Sequence, residues 1–316
     1  MKTFTNYFLF AILFLLIKPI MSKEREPNEL GKIFVLTYHK IGDFDSNFTR
    51  SRKGFVEDLQ TLKREGFIPI QTNDFSNANI KIPKGKKPVL ITFDDSSISQ
   101  FEVDENGQIK SNCAVGMMEE FKKKNPDFPL TAIFFVTPGS KSPNDLFGQI
   151  RFTKMKTEFL LNNGYEIGNH TLWHANLNQF RDRIQEQIAG CQREINKFLP
   201  DFRIYAMATP YGSFPPERYN HLLIEGKYKG HSYKNKIIFD YSNRLSYSPF
   251  DINFNIYRVR RIHGFDKNIK KIVQELNSPT SDAYISDGLE DTITIPQSEV
   301  KNLNTEWKKK FKVKVY

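Results

Sequence analysis

The chain has 316 residues, of which 39% are hydrophobic and 14% aromatic, so it can bury a substantial core and is too apolar for disorder to be its ground state. A formal net charge of +10 raises the question of an anionic partner. The basic residues are mixed with acids, as in FVEDLQTLKREGF, the dense exception being the terminal EWKKKFKVKVY, and no nucleic-acid motif accompanies them, so nucleic acid is set aside.

The chain begins MKTFTNYFLFAILFLLIKPIMSKERE. Lys2 gives a positive start, and Phe8 to Ile17 form an apolar run short for a membrane span, which is the pattern of an export signal. Residues 1–22 are therefore expected to be a signal peptide or an uncleaved N-terminal anchor, with 23–32 as a linker. The expected location is the periplasm, the cell envelope or the outside, with membrane association through this segment left open. The oligomeric state is not encoded in any recognisable feature.

Six β-rich apolar runs follow: KIFVLTY (32–38), PVLITF (88–93), TAIFFVT (131–137), YEIG (165–168), RIYAM (203–207) and IYRVRRI (256–262). Amphipathic helical stretches separate most of them, at 55–65, 154–163 and about 178–199. Strands alternating with helices predict an α/β fold with a parallel sheet, open or closed into a barrel. Residues 212–255, rich in Tyr, Asn, Ser and Pro, read as a long loop or an insertion. Cys113 and Cys191 are the only cysteines; both fall in expected helices, and their spacing does not say whether they pair.

The unusual polar residues gather at the carboxyl ends of these strands. His39 follows the first, Asp94 and Asp95 the second, His170 and His174 the run YEIG, Pro210 and Tyr211 the run RIYAM, and His263 the last. In parallel barrels that end carries the active site, because the βα loops converge there. NHTLWHANL spaces His170 and His174 by four, which on a helical turn brings two imidazoles to one side. With Asp95 they make a two-histidine, one-carboxylate set suited to Zn²⁺ or a similar divalent ion, Co²⁺, Ni²⁺ and Fe²⁺ included. Neighbouring residues on a strand point to opposite faces, so one aspartate of the pair can bind the cation while the other is left free to take a proton from bound water. In isolation Asp94 reads equally well as a cap of the turn in DDSS.

TFDD (92–95), HTLWH (170–174) and PYG (210–212), in that order, resemble the first three motifs of the polysaccharide deacetylases with a NodB-homology domain. VLTYHKIG (35–42) resembles the first strand of branches acting on poly-N-acetylglucosamine. The resemblance covers roughly residues 33–265 within an expected domain of 33–316. It implies a distorted, incomplete (β/α) barrel and metal-dependent removal of N-acetyl groups from an N-acetylated glycan polymer. It also implies Asp94 as general base, Asp95, His170 and His174 as metal ligands, and a groove wall at Pro210 and Tyr211, the Tyr211 amide helping to hold the oxyanion. His39 is grouped with the substrate-binding residues.

Three positions depart from the family pattern. Ala208 stands where an Arg usually orients the base, Ser96 where Gly usually follows the second aspartate, and no Leu-x-His supplies the general acid. Alternation along YRVRRIHGF puts Arg261 and His263 on one face, so Arg261 is expected to replace the missing guanidinium and His263 to be the candidate acid, a loop histidine being the bland reading. A catalytically impaired glycan-binding homologue and an O-acetyl esterase stand as the alternative functions.

Overall fold

A computed structural model describes residues 25–141, 144–264 and 268–316. The expected export segment, 1–22, lies outside the described residues. In chain order the first elements are β1 (Phe34–Tyr38), β2 (Lys40–Gly42), β3 (Thr49–Ser51), α1 (Arg52–Arg64), β4 (Phe67–Pro69), α2 (Thr72–Ser76) and β5 (Lys87–Asp94). Then come α3 (Ala114–Lys124), β6 (Ile133–Val136), α4 (Thr153–Asn162), β7 (Glu166–Asn169), α5 (Ile184–Asn196) and β8 (Ala206–Ala208). The chain continues with α6 (His221–Ile224), β9 (Glu225–Tyr228), β10 (His231–Lys234), β11 (Ile237–Phe239), β12 (Ile262–His263), α7 (Asn268–Asn277), β13 (Thr292–Ile295) and β14 (Lys312–Val315).

One parallel sheet organises these elements in the order β11-β8-β7-β6-β5-β1-β12, with β4 also paired to β5. It curls into an incomplete (β/α) barrel. Short bridged contacts, rather than a full strand pair, tie its two edges: Phe239 bridges Val259, and Val259 N–H donates to the Ile238 carbonyl at 2.8 Å. The helices arise where apolar residues recur every three or four positions. In α1, Phe55, Leu59 and Leu62 are fully buried, Ser51 Oγ accepts from Gly54 N–H at the first turn, and Lys63 and Arg64 sit at the negative end of the helix dipole.

Strand alternation divides the core in two. Leu36, Tyr38, Ile91, Phe93, Phe134 and Val136 face the helices and pack with residues of α1, α3 and α5. Val35, Leu90, Ile133, Phe135, Ala206, Ala208, Ile237, Phe239 and Val259 form the inner cluster, joined by Tyr284, Ile293 and Ile295 from the C-terminal part. Gly168 in β7 has a packing reason: a Cβ there would come within 2.3 Å of the Phe135 ring. Burial on both faces explains the unbroken apolar runs of the sequence.

Two local expectations need correction. The 212–255 segment is not a plain loop, since it holds α6, the β9–β10 hairpin and β11, which extends the sheet beside β8. Its three-residue strand is too short for sequence periodicity to register. RIYAM becomes strand only from Ala206, and IYRVRRI only at Ile262. Cys191 is buried within α5, Cys113 is buried at the N-cap of α3, and both thiols are free.

Candidate active site

At the carboxyl end of β5 the backbone turns sharply after Asp94, with Asp95 at φ 77° and Ser96 at φ 47°. The left-handed conformation at 96 is the one that favours Gly. Ser96 offsets its cost by bracing the loop: its hydroxyl accepts from Thr137 N–H at 3.2 Å and its carbonyl from Phe147 N–H at 3.0 Å. The turn separates the two carboxylates. Asp94 continues the inward parity of Leu90 and Thr92 and is 1% exposed, whereas Asp95 stands at the rim.

Asp94 is held by Arg261, which is fully buried inside the barrel. Its Nη1 donates to Asp94 Oδ1 and its Nη2 to Asp94 Oδ2, both at 2.8 Å. Nε donates to the Asp240 carbonyl at 2.7 Å, and Nη1 also reaches Thr92 Oγ1 at 3.1 Å. This is the planar two-pronged pairing that Arg makes and Lys cannot. Burial alone pushes the Asp94 carboxyl up; Arg261, then His170, outweigh it and hold the group below the usual carboxylate range.

His170 and His174 do not share a helical turn, contrary to the spacing argument. Thr171 at φ 67° and His174 at φ 64° fold the five residues into a loop. Asn169 shapes that loop from the end of β7, accepting from Thr171 N–H at 2.8 Å and donating to the Ile188 carbonyl at 2.9 Å. His170 Nδ1 lies 2.8 Å from the Ala208 carbonyl. A carbonyl only accepts, so Nδ1 carries a proton and, in the neutral ring, Nε2 offers its lone pair toward Asp95.

Asp95 Oδ1 lies 3.5 Å from His170 Nε2 and 3.2 Å from His174 Nε2. The three ligand atoms fall within 4.8 Å of one another, and Asp95 Oδ1 is buried with no hydrogen-bond partner among the described residues. An orphaned carboxylate oxygen beside two imidazole nitrogens, one held in the ligating tautomer by a carbonyl, fits a divalent cation such as Zn²⁺.

The remaining residues surround this centre. His39 Nε2 is 4.0 Å from Asp94 Oδ2, which is also 3.9 Å from His170 Nε2. The His39 ring packs against Phe48 and Tyr241, and its buried Nδ1 has no partner. Burial lowers the His39 pKa, with Asp94 and Asp95 pulling the other way. His263 stacks on Tyr241 at 3.8 Å between centroids, and burial first, then the neighbouring His39 and Arg261, bring it down to about 4. Pro210 is buried, while Tyr211 is 64% exposed with its ring 4.5 Å from that of His174. Gly212 takes φ 61°, and a Cβ there would come within 2.8 Å of Tyr241.

One contributor carries no sequence signal. Gln100 is fully buried, and its Nε2 donates to the His39 carbonyl at 2.6 Å and to the Asp94 carbonyl at 2.5 Å. It clamps the ends of β1 and β5 together, and no motif or spacing marks it.

Residues 81–225 match the family model for polysaccharide deacetylases. No curated protein matches the chain. Among solved structures, the chain is similar to the Streptococcus pyogenes deacetylase PplD, at 19% identity over 79% of this chain and 98% of that one, with a TM-score of 0.57. It is also similar to IcaB from Ammonifex degensii, at 20% identity over 77% of this chain and 96% of that one, with a TM-score of 0.55. A polysaccharide deacetylase from Bacillus cereus matches at 16% identity over 77% of this chain and 68% of that one, with a TM-score of 0.56. At these identities the likenesses speak for the fold.

Proposed function

We propose that the chain, whose residues 81–225 match the polysaccharide deacetylase family model, is an exported, metal-dependent hydrolase removing N-acetyl groups from an N-acetylglucosamine-containing polysaccharide. The observation that carries this reading is the ionised, doubly held Asp94 beside the converging atoms of Asp95, His170 and His174. A divalent cation held by those three residues, Zn²⁺ in our reading, would polarise the acetyl carbonyl and lower the pKa of a water molecule.

The chain's own groups supply the rest. Asp94 takes a proton from the attacking water, and Arg261 keeps its carboxylate ionised and fixed in plane. We assign the relay of the proton to the departing amine to His39, whose Nε2 lies 4.0 Å from Asp94 Oδ2, so that the proton Asp94 takes from water passes to the imidazole and on to the amine. Water adds across the acetyl C–N bond, so the products are acetate and a free amine. The exposed Tyr211 ring and Pro210 form one wall of the groove, the Tyr211 main-chain N–H being offered to the oxyanion, and Tyr241 with His263 forms another. The impaired reading drew on Ala208 in place of Arg; a guanidinium 2.8 Å from Asp94 supports the active reading over it.

The test is acetate release from N-acetylglucosamine oligomers and from O-acetylated sugars by metal-loaded protein. Release mainly from the N-acetylated substrate is expected, and preference for the ester would move the reading to an esterase. In the same assay His39→Asn should lose more turnover than His263→Asn; the reverse order would return the donor role to His263.

A further inference from the structure

The strand run that carries Arg261 into the barrel presents two more arginines on its other side. Arg258 is exposed and Arg260 half-buried. Outside the wall they meet Arg244, whose N–H donates to the Arg261 carbonyl at 3.2 Å as its segment crosses the strand. The three arginines line a cavity of about 380 Å³ together with Ser242, Asn253 and Asn255.

Their arrangement is specific. The Arg260 guanidinium lies 4.5 Å from the centroid of Tyr247, a ring that Lys32 Nζ also approaches to 3.7 Å, and Arg258 lies 4.7 Å from the centroid of Phe214. Stacking of this kind orients a guanidinium plane while leaving N–H edges for an acceptor. Among the described residues none of the three arginines pairs with a carboxylate or donates a side-chain hydrogen bond. The lining contains one acid, Asp240, and its Oδ1 is taken by the Ser242 N–H at 3.1 Å and the Ser242 hydroxyl at 2.9 Å. Three arginines against one carboxylate, itself engaged by Ser242, leave an excess of positive charge in the cavity, so this patch is poised for an anion.

We infer that this cavity is an oxyanion-binding site, separate from the Asp94 centre, for a phosphate or carboxylate group. The ligand is either a free anion or an anionic substituent on a glycan; the binding chemistry is the same. Two-pronged hydrogen bonding from Arg suits both groups. Neutral Asn253, Asn255 and Ser242 add donors without adding repulsion toward the ligand.

Calorimetric titration of the full chain with inorganic phosphate at low ionic strength tests the site without requiring turnover, so a failure of the deacetylase reading would leave this result standing. Saturable binding is expected, weakened about tenfold by each of Arg244→Ala, Arg258→Ala and Arg260→Ala, as the loss of a charge-assisted hydrogen bond implies. Arg260→Lys, which keeps the charge and loses the fork, should fall between wild type and Arg260→Ala. Melting curves establish that each variant is folded. N-acetylglucosamine 6-phosphate, run beside neutral N-acetylglucosamine, separates the sources: tighter binding than inorganic phosphate assigns the site to a glycan substituent, and equal binding assigns it to a free anion. Absence of saturable phosphate binding, or binding unchanged in the triple Arg→Ala variant, overturns the inference.

Discussion

Arg261 is the residue that fixes the Asp94 carboxylate in place. It sits at zero exposure, and its charge is matched by Asp94 at 2.8 Å and by two further acceptors. Removing one partner of such a buried pair typically destabilises by about 3–5 kcal/mol, so Arg261→Ala would confuse folding with catalysis. Arg261→Lys is the informative change. One charged hydrogen bond to Asp94 is lost, and turnover should fall about tenfold or more while the protein stays folded. Asp94 would also ionise at higher pH, because the cation that lowers its pKa is less well placed; the acidic limb of the kcat/KM profile should move upward. Full activity with an unmoved limb would show that the fork is not used. Alternation along the strand was enough to group Arg261 with His263, yet nothing in the sequence distinguished Gln100, because its role depends on two main-chain carbonyls that lie far apart in the chain and meet at the ends of paired β1 and β5.

The loop between His170 and His174 shows what an element adds to its residues. Spacing by four suggested a helix, and helical dihedrals are absent at Thr171 and His174. Side-chain hydrogen bonds replace helical ones: Asn169 accepts from Thr171 N–H, and Thr171 Oγ1 accepts from Ala175 N–H at 3.0 Å. These short polar residues compete with helix by bonding locally, which a periodicity argument does not see. Asn169→Ala should therefore leave Thr171 N–H unpaired inside the fold, costing about 1–3 kcal/mol, whereas the Ile188 carbonyl keeps its place in the α5 ladder. Because the loop aims both imidazoles, metal affinity should fall by about 10–100-fold, the usual scale for an outer support of a metal ligand. Melting temperature and metal content measure the two effects; wild-type values for both would contradict this account of the loop. The long strands β1, β5 and β6 were legible from their apolar runs, whereas β11 and β12, at three and two residues, exist through pairing rather than through local pattern.

Across the molecule, Glu29 ties the start of the described chain to its C-terminal part. It is 2% exposed, its Oε1 accepts from the Tyr284 hydroxyl at 3.0 Å, and its Oε2 accepts from Thr294 N–H at 2.9 Å. Burial outweighs these bonds and pushes its carboxyl up to about 8. A carboxyl whose folded pKa is raised favours the folded state while protonated. Its contribution is fully present below the unfolded pKa of about 4.3 and is lost as pH rises through about 8. Glu29→Gln keeps an acceptor for Thr294 and lets the Tyr284 hydroxyl reverse its role. The stability advantage of the Gln variant over wild type should thus grow between pH 5 and 8, within the window set by those two pKa values. Parallel denaturation curves across that range read it, and a constant difference would show that Glu29 does not titrate there. The central claim, that Asp94 is the base and Asp95, His170 and His174 hold the cation, is tested most directly by measuring metal content and acetate release together in Asp94→Asn. The account predicts wild-type metal content with turnover reduced about 10²–10⁴-fold. Loss of the metal in Asp94→Asn, with the metal retained in Asp95→Asn, would contradict it.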